Sequence, residues 1–288
     1  MEYADAAAIL NRHIFEGDKQ NLLEKVANNP ERYTGLFRPT KPKAKLLQNL
    51  LQSHEIRFGD AMESLIEAML ADIGFSLLPK NLQSAEGDSL SLDQYFTNGE
   101  TYFFMEQKVR DDHDSTKKRG QIGNFETKLN LLYEAHGNHL VGMMYFIDPD
   151  LSKNKNYYLE ELNKLRDFYG IDLYLFYGHE FFEYLGFPHL WDNLIEWLTQ
   201  WKMDLPDFPE INLDSSPGES FEEIKMMKPL YWRKLLENKQ LWEDGIIRVL
   251  FSDGATLRLM LAYFSSRQTL AYQNLTRLLN ERLVEYYG

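Results

Sequence analysis

Asp93, Glu106 and Lys108 are of the types that hold a divalent cation and handle charge at a phosphorus atom. Glu106-Gln107-Lys108 closes a run of strand-favouring residues, Tyr102, Phe103, Phe104 and Met105, with Val109 beyond. Leu92, Tyr95 and Phe96 form a second such run, and Thr97-Asn98-Gly99-Glu100 lies between the two. Asn-Gly favours a tight hairpin because both central residues need positive φ. With Asn98 and Gly99 as the central pair, Asp93 falls across from Phe104. Side chains two apart share a face, so Glu106 and Lys108 project on the side of Phe104 and Asp93, with Glu106 roughly 7 Å, one pleat, along. Adjacent carboxylates repel, and burial penalises their charged forms unless a cation compensates. Oxygen donors from Asp93 and Glu106, joined by the Gln107 carbonyl, suit Mg²⁺, which keeps several waters and accepts a phosphate oxygen. Lys108 would orient or deprotonate a water, or stabilise phosphoryl charge. Such a set is equipped for phosphodiester hydrolysis.

The pattern Asp93…Glu106-Gln107-Lys108 resembles the PD-(D/E)XK nuclease signature, and type II restriction endonucleases within that group. Glu126-Thr127-Lys128, Glu223-Ile224-Lys225 and Glu237-Asn238-Lys239 match the short form too, but they lie in helical or polar contexts rather than at the end of an aromatic strand. The residue before Asp93 is Leu92 where the family has proline, and Asp88, in Glu86-Gly87-Asp88-Ser89, competes as first acid. The resemblance implies a helix acid behind the metal site, for which Glu63 stands in place. It also implies that the polar, basic segment 109–121 reaches DNA as a loop, through Arg110, His113, Ser115, Lys117, Lys118, Arg119 and Gln121. It covers roughly residues 55 to 200 and implies site-specific cleavage of double-stranded DNA with Mg²⁺ to give 5′-phosphate ends. A homodimer, matching two-fold symmetric sites, and a cognate methyltransferase protecting host DNA are implied as partners. The rival readings are a nuclease specific for DNA structure in repair or recombination, and a non-catalytic DNA-binding protein on the same scaffold.

Several elements must position these residues. Residues 1 to about 55 read as short helices interrupted by Pro39 and Pro42, and residues 59–70 as an amphipathic helix stopping near Gly74. Strands are expected at 140–147 and 171–177, with helices around 159–168, from Glu180, and over 190–201. Strands separated by helices make an α/β fold, a mixed sheet flanked by helices. Residues 1–205 are expected to form the nuclease domain, 206–219, with Pro206, Pro209, Pro217 and Gly218, a linker, and 220–288 a mainly helical C-terminal subdomain. The run 246–251 is open between strand and helix.

The 288 residues contain no cysteine, which removes disulfides, thiolate metal sites and cysteine nucleophiles. A net charge of -13 argues against indiscriminate coating of nucleic acid but leaves room for a local basic face. Arg38 to Lys45, including Lys43, and Lys117-Lys118-Arg119 with Lys108 and Arg110 could supply one; either run could also be a solvated helix end. His113, among Asp111, Asp112 and Asp114, reads first as an exposed loop residue, and His136 and His139 as turn residues rather than a zinc pair. Phe181, Phe182, Trp191, Trp197 and Trp201 read as core. The acidic start and the absence of a long apolar run point to a cytoplasmic protein with no membrane span.

Overall fold

The computed structural model describes residues 1–37, 39–83, 89–112 and 114–288, so Arg38, Asp88 and His113 lie outside the described residues. The chain opens with helices α1 (Tyr3–Phe15), α2 (Asp18–Asn28) and α3 (Pro42–Asp72). Pro42 does not interrupt a helix but begins one, where its missing N–H has no intrahelical partner to lose. The amphipathic helix expected from residue 59 is the second half of the 31-residue α3. Gly74, at φ +96°, closes it, and Phe75 N donates to Leu70 O at 3.1 Å.

Two compact units result: residues 1–13 with 57–205, and residues 14–56 with 206–288. This division crosses the expected one, because residues 14–56 group with the C-terminal part and α3 contributes to both units.

The first unit holds β1 (Ser76–Leu77), β2 (Asn81–Gln83), β3 (Ser89–Ser91), β4 (Gln94–Thr97), β5 (Tyr102–Lys108), α4 (Ser115–His136), β6 (Leu140–Phe146), α5 (Lys155–Tyr169), β7 (Leu173–Tyr177), α6 (Glu180–Tyr184) and α7 (His189–Met203). β2 and β3 form a two-stranded ribbon; the main sheet has the order β1-β4-β5-β6-β7. β1, β4 and β5 are antiparallel, whereas β5, β6 and β7 are parallel through α4 and α5. The sheet is therefore mixed, as expected. β6 is buried along its whole length, as a central strand covered on both faces must be.

Both crossover helices cover one face. Phe125, Leu129 and Leu132 of α4 and Tyr158 and Leu162 of α5 pack with Tyr95, Phe104, Met144 and Leu173. Phe104 stacks on Phe125 with ring centroids 4.9 Å apart. On the other face Phe75 meets Phe96 and Phe103 edge-on at 5.2 and 5.9 Å, and Tyr145 meets Phe181 of α6 at 4.9 Å. Phe181 and Phe182 are fully buried and Trp197 and Trp201 nearly so, in keeping with a core role.

The second unit adds α8 (Pro217–Ile224), α9 (Pro229–Glu237), α10 (Lys239–Glu243), α11 (Ile246–Leu250), α12 (Ala255–Ser265) and α13 (Leu270–Tyr287). The open stretch 246–251 is thus helical. Its core joins Leu22, Leu23 and Leu46 to Trp232, Trp242 and Phe264. The segment 206–219 is no bare linker: Ile211, Leu213 and Asp214 are buried, and Pro217 starts a helix. Asp214 accepts from the backbone N–H groups of Asp253, Gly254 and Thr256 at 3.0, 2.7 and 2.8 Å, satisfying donors at the start of α12. Those bonds overcome burial and hold its carboxyl below the usual range.

Gly142 of β6 lies where a Cβ would stand 2.7 Å from both Leu173 Cδ2 and Phe104 Cε1. Both neighbours are themselves fully buried, which limits relaxation. Gly142→Ala is expected to destabilise the protein by about 1–3 kcal/mol through overpacking, read as a lowered midpoint of urea unfolding; an unchanged midpoint would show that the two side chains yield freely.

Candidate active site

The hairpin that carries the site is longer at its tip than Asn-Gly alone suggests. Thr97 pairs with Tyr102 and Gln94 with Met105, which leaves residues 98–101 as the loop. Asn98 Oδ1 accepts from the N–H groups of Glu100 at 3.0 Å and Thr101 at 2.8 Å, so its side chain closes a wider turn. The register therefore differs by two residues from a two-residue turn, and extending it places Asp93 opposite Glu106 rather than Phe104. A two-residue slip preserves the face on which each side chain points, so the expected grouping survives the change of partner.

Asp93 stands just beyond the end of β4 and turns its carboxylate onto β5. Gln107 N donates to Asp93 Oδ2 at 2.9 Å, and Lys108 Nζ to the same oxygen at 2.5 Å. Lys108 Nζ also donates to Gln107 O at 2.8 Å. One ammonium thus sits where two of the expected oxygen ligands converge. The Gln107 side chain points away from this point and accepts from Gln94 Nε2 at 3.2 Å.

Glu106 is buried and meets a partner outside the expected site. Lys128 of α4 donates to Glu106 Oε1, both side chains being 5% exposed. Asn124, one helical turn earlier, reaches Oε2 at 3.5 Å. The Glu126-Thr127-Lys128 triplet is thus not a second nuclease motif, yet its lysine belongs to the same cluster. The sequence signal was a lysine in register with Phe125, Leu129 and Leu132 on an otherwise apolar stripe.

The electrostatics follow from this geometry. Burial and then Asp93 push the Glu106 carboxyl up, while Lys128 pulls it back. Burial disfavours the charged form of Lys108, but Asp93, then Glu106 and Glu63, outweigh it and hold the ammonium above its ordinary range. Glu63 of α3 feels burial most and Asp93 next, against the pull of Lys80, and its carboxyl rises to about 7. Its backbone carbonyl accepts from Gln94 Nε2 at 2.7 Å, which ties α3 to β4 beside the acids.

Among the described residues no three His, Asp or Glu side chains stand together as a ready cation cage. Mg²⁺ does not require one, because it takes one or two carboxylates and fills the rest of its shell with water and substrate phosphate. Asp93, Glu106 and the Gln107 carbonyl are donors of the types such a site would use.

The expected DNA-contacting residues sit on a helix rather than a loop. Asp114 caps α4, accepting from Thr116 N at 3.0 Å and Lys117 N at 2.8 Å, so Ser115, Lys117, Lys118, Arg119 and Gln121 occupy its first two turns. Lys118 lies 4.3 Å over the Tyr157 ring, Arg119 Nε donates to Ser115 O at 3.1 Å, and Gln121 accepts from Tyr158 OH. Arg110 is exposed after β5, and Lys43 is exposed in the first turn of α3, within the second unit. Asp111, read as part of the DNA-reaching loop, is fully buried instead. It accepts from Asn154 N at 2.7 Å, Asn154 Nδ2 at 2.8 Å and Tyr177 OH at 2.9 Å, and so locks the end of β5 to the loop after β6. His136 stacks on Tyr102 at 3.8 Å and contacts Tyr95 OH at 2.5 Å at the end of α4, a packing role.

A pH dependence follows for Glu63. Its folded pKa of about 7 lies above the ordinary 4.5, so the folded protein keeps a proton that the unfolded chain releases, and stability from this group falls as pH rises through that window. Measured in chelator, Glu63→Gln should exceed the native protein in stability above pH 7 by about 1–3 kcal/mol and match it at the acid end of that window. Parallel stability curves across the range would contradict the burial argument.

The family model described as Type II restriction endonuclease, HinfI, matches residues 2–85 and 76–202, more than half of the chain. No curated protein and no solved structure gives a significant match. The matched span includes Glu63, Asp93, Glu106, Lys108 and Lys128, and the mixed, helix-flanked sheet accords with the fold expected of such an enzyme. The chain belongs to the HinfI family of type II restriction endonucleases and is a site-specific deoxyribonuclease.

Proposed function

We propose that this enzyme cuts both strands of DNA by Mg²⁺-dependent hydrolysis at the end of β5, leaving 5′-phosphate and 3′-hydroxyl ends. The convergence of Asp93 Oδ2 and Gln107 O on a single ammonium, with Glu106 on the same face of β5, carries this reading. Asp93, Glu106 and the Gln107 carbonyl would hold Mg²⁺, which when bound supplies an acidified water and neutralises charge on the phosphoryl group. Lys108 is held protonated by Asp93, which favours stabilising phosphoryl charge over removing a proton from water. Glu63, raised to about 7, is poised to accept or hold a proton near neutral pH.

The exposed first turns of α4 present Lys117 and Arg119, cations suited to DNA phosphates. We assign Ser115, Lys118, Gln121 and Arg110 to the same role, and Lys43 to a further phosphate contact. A homodimer would match a two-fold symmetric DNA site, and a partner methyltransferase would protect the host. The described residues contain no helix long and apolar enough to cross a membrane.

Incubation with unmethylated plasmid and phage DNA, with Mg²⁺ or chelator, tests the chemistry. Native protein should give a discrete ladder of fragments ending in 5′-phosphate. Asp93→Ala, Glu106→Gln and Lys108→Ala should each lower cleavage by about 100-fold or more while DNA binding in Ca²⁺ persists. Full cleavage in chelator, or an active Asp93→Ala protein, would refute the assignment. For the α4 face, Lys117→Ala and Arg119→Ala should each weaken DNA binding and reduce the slope of log affinity against log salt by about 0.9; an unaltered slope would remove that residue from the interface.

A further inference from the structure

The proposed chemistry leaves Lys128 without a task. It lies on α4 between Phe125 and Leu129, is 4% exposed, and has its ammonium on Glu106 Oε1. A buried ammonium is tolerated only beside a partner, and breaking such a pair leaves an uncompensated charge. Asp93 and Glu106 each face one ammonium, Lys108 and Lys128 respectively.

The two lysines differ in freedom. Lys108 is 35% exposed on its side-chain surface and can swing its ammonium toward solvent or a phosphate. Lys128 is enclosed by the helix face and cannot withdraw its charge. A divalent cation drawn to Asp93 and Glu106 therefore shares Glu106 with a fixed positive charge in a poorly screened environment, where like charges repel strongly.

We propose that Lys128 is a fixed counter-ion, a positioning residue acting through Glu106, that keeps the cation site weak in the free enzyme and makes cation binding conditional on the arrival of a DNA phosphate. Its effect is to couple metal occupancy to substrate, so that the loaded site forms on DNA. The inference rests on the reading of Asp93 and Glu106 as cation ligands.

Lys128→Gln removes the charge while keeping a donor for Glu106, and Lys128→Arg keeps the charge. Calorimetric titration of DNA-free protein with Mn²⁺ should show Lys128→Gln binding more tightly than the native protein by about tenfold or more, with Lys128→Arg close to native. A merely structural role would lower affinity, so equal or weaker binding by a folded Lys128→Gln protein overturns the proposal. Should that variant not fold, the native protein provides the test. Equilibrium dialysis with Ca²⁺ should show tighter ion binding in the presence of unmethylated phage DNA, and Ca²⁺ should tighten DNA binding by the same factor; independent binding of the two overturns it. Adding Glu106→Gln to Lys128→Gln should abolish the gained affinity. If Glu106→Gln alone leaves cleavage intact, the reading of the site fails; if it abolishes cleavage while Lys128→Gln binds Mn²⁺ no more tightly, only the role of Lys128 fails.

Discussion

Two carboxylates at the same end of a sheet repel each other, and burial raises the penalty. Asp93 and Glu106 are held there because each faces an ammonium, Lys108 for the first and Lys128 for the second. The balance constrains much around it. β5 must end where it does for Lys108 to turn back onto the Gln107 carbonyl, and α4 must cross the sheet at the height that brings Lys128 and Asn124 to Glu106. The acids are thus already arranged around positive charge.

The scaffold holds that end of the sheet through two further devices. The stack of Phe104 on Phe125, with Gly142 leaving room beneath, sets the distance between α4 and β5. Asp111 then fixes the chain immediately beyond β5 through three hydrogen bonds to Asn154 and Tyr177. A buried carboxylate so fully satisfied rigidifies its surroundings, whereas a partly satisfied one would destabilise them. Precision at Lys108 therefore derives from apolar packing on one side and a closed polar knot on the other. Gln94 adds a third tie, joining the start of β4 both to Gln107 and to the backbone of Glu63.

The second unit shows the same economy of polar burial in a different setting. Asp214 lies among apolar helices and spends its charge on three backbone donors at the start of α12. Pro217, which punctuates the expected linker, instead opens α8. The distinction between linker and helix start depends on whether neighbouring apolar residues find a core, and here Ile211, Leu213 and Ile224 do.

The sequence by itself determined the strand-turn-strand unit, the parity that puts Asp93, Glu106 and Lys108 on one face, the α/β alternation after residue 140 and the exclusion of thiolate chemistry. These are local: they follow from side-chain alternation, turn chemistry and the absence of cysteine. Even the misplaced register did no harm, because a shift of two residues leaves the faces unchanged. The tertiary structure alone decided that Lys128 completes the cluster, that Asp111 is a buried lock and that residues 14–56 pack with the C-terminal part. The first two depend on which helix crosses which strand and at what height, set by the packing of Phe104, Phe125 and Gly142, and the third on Leu22, Leu23 and Leu46 finding a core with Trp232, Trp242 and Phe264, across gaps in sequence where no periodicity reaches.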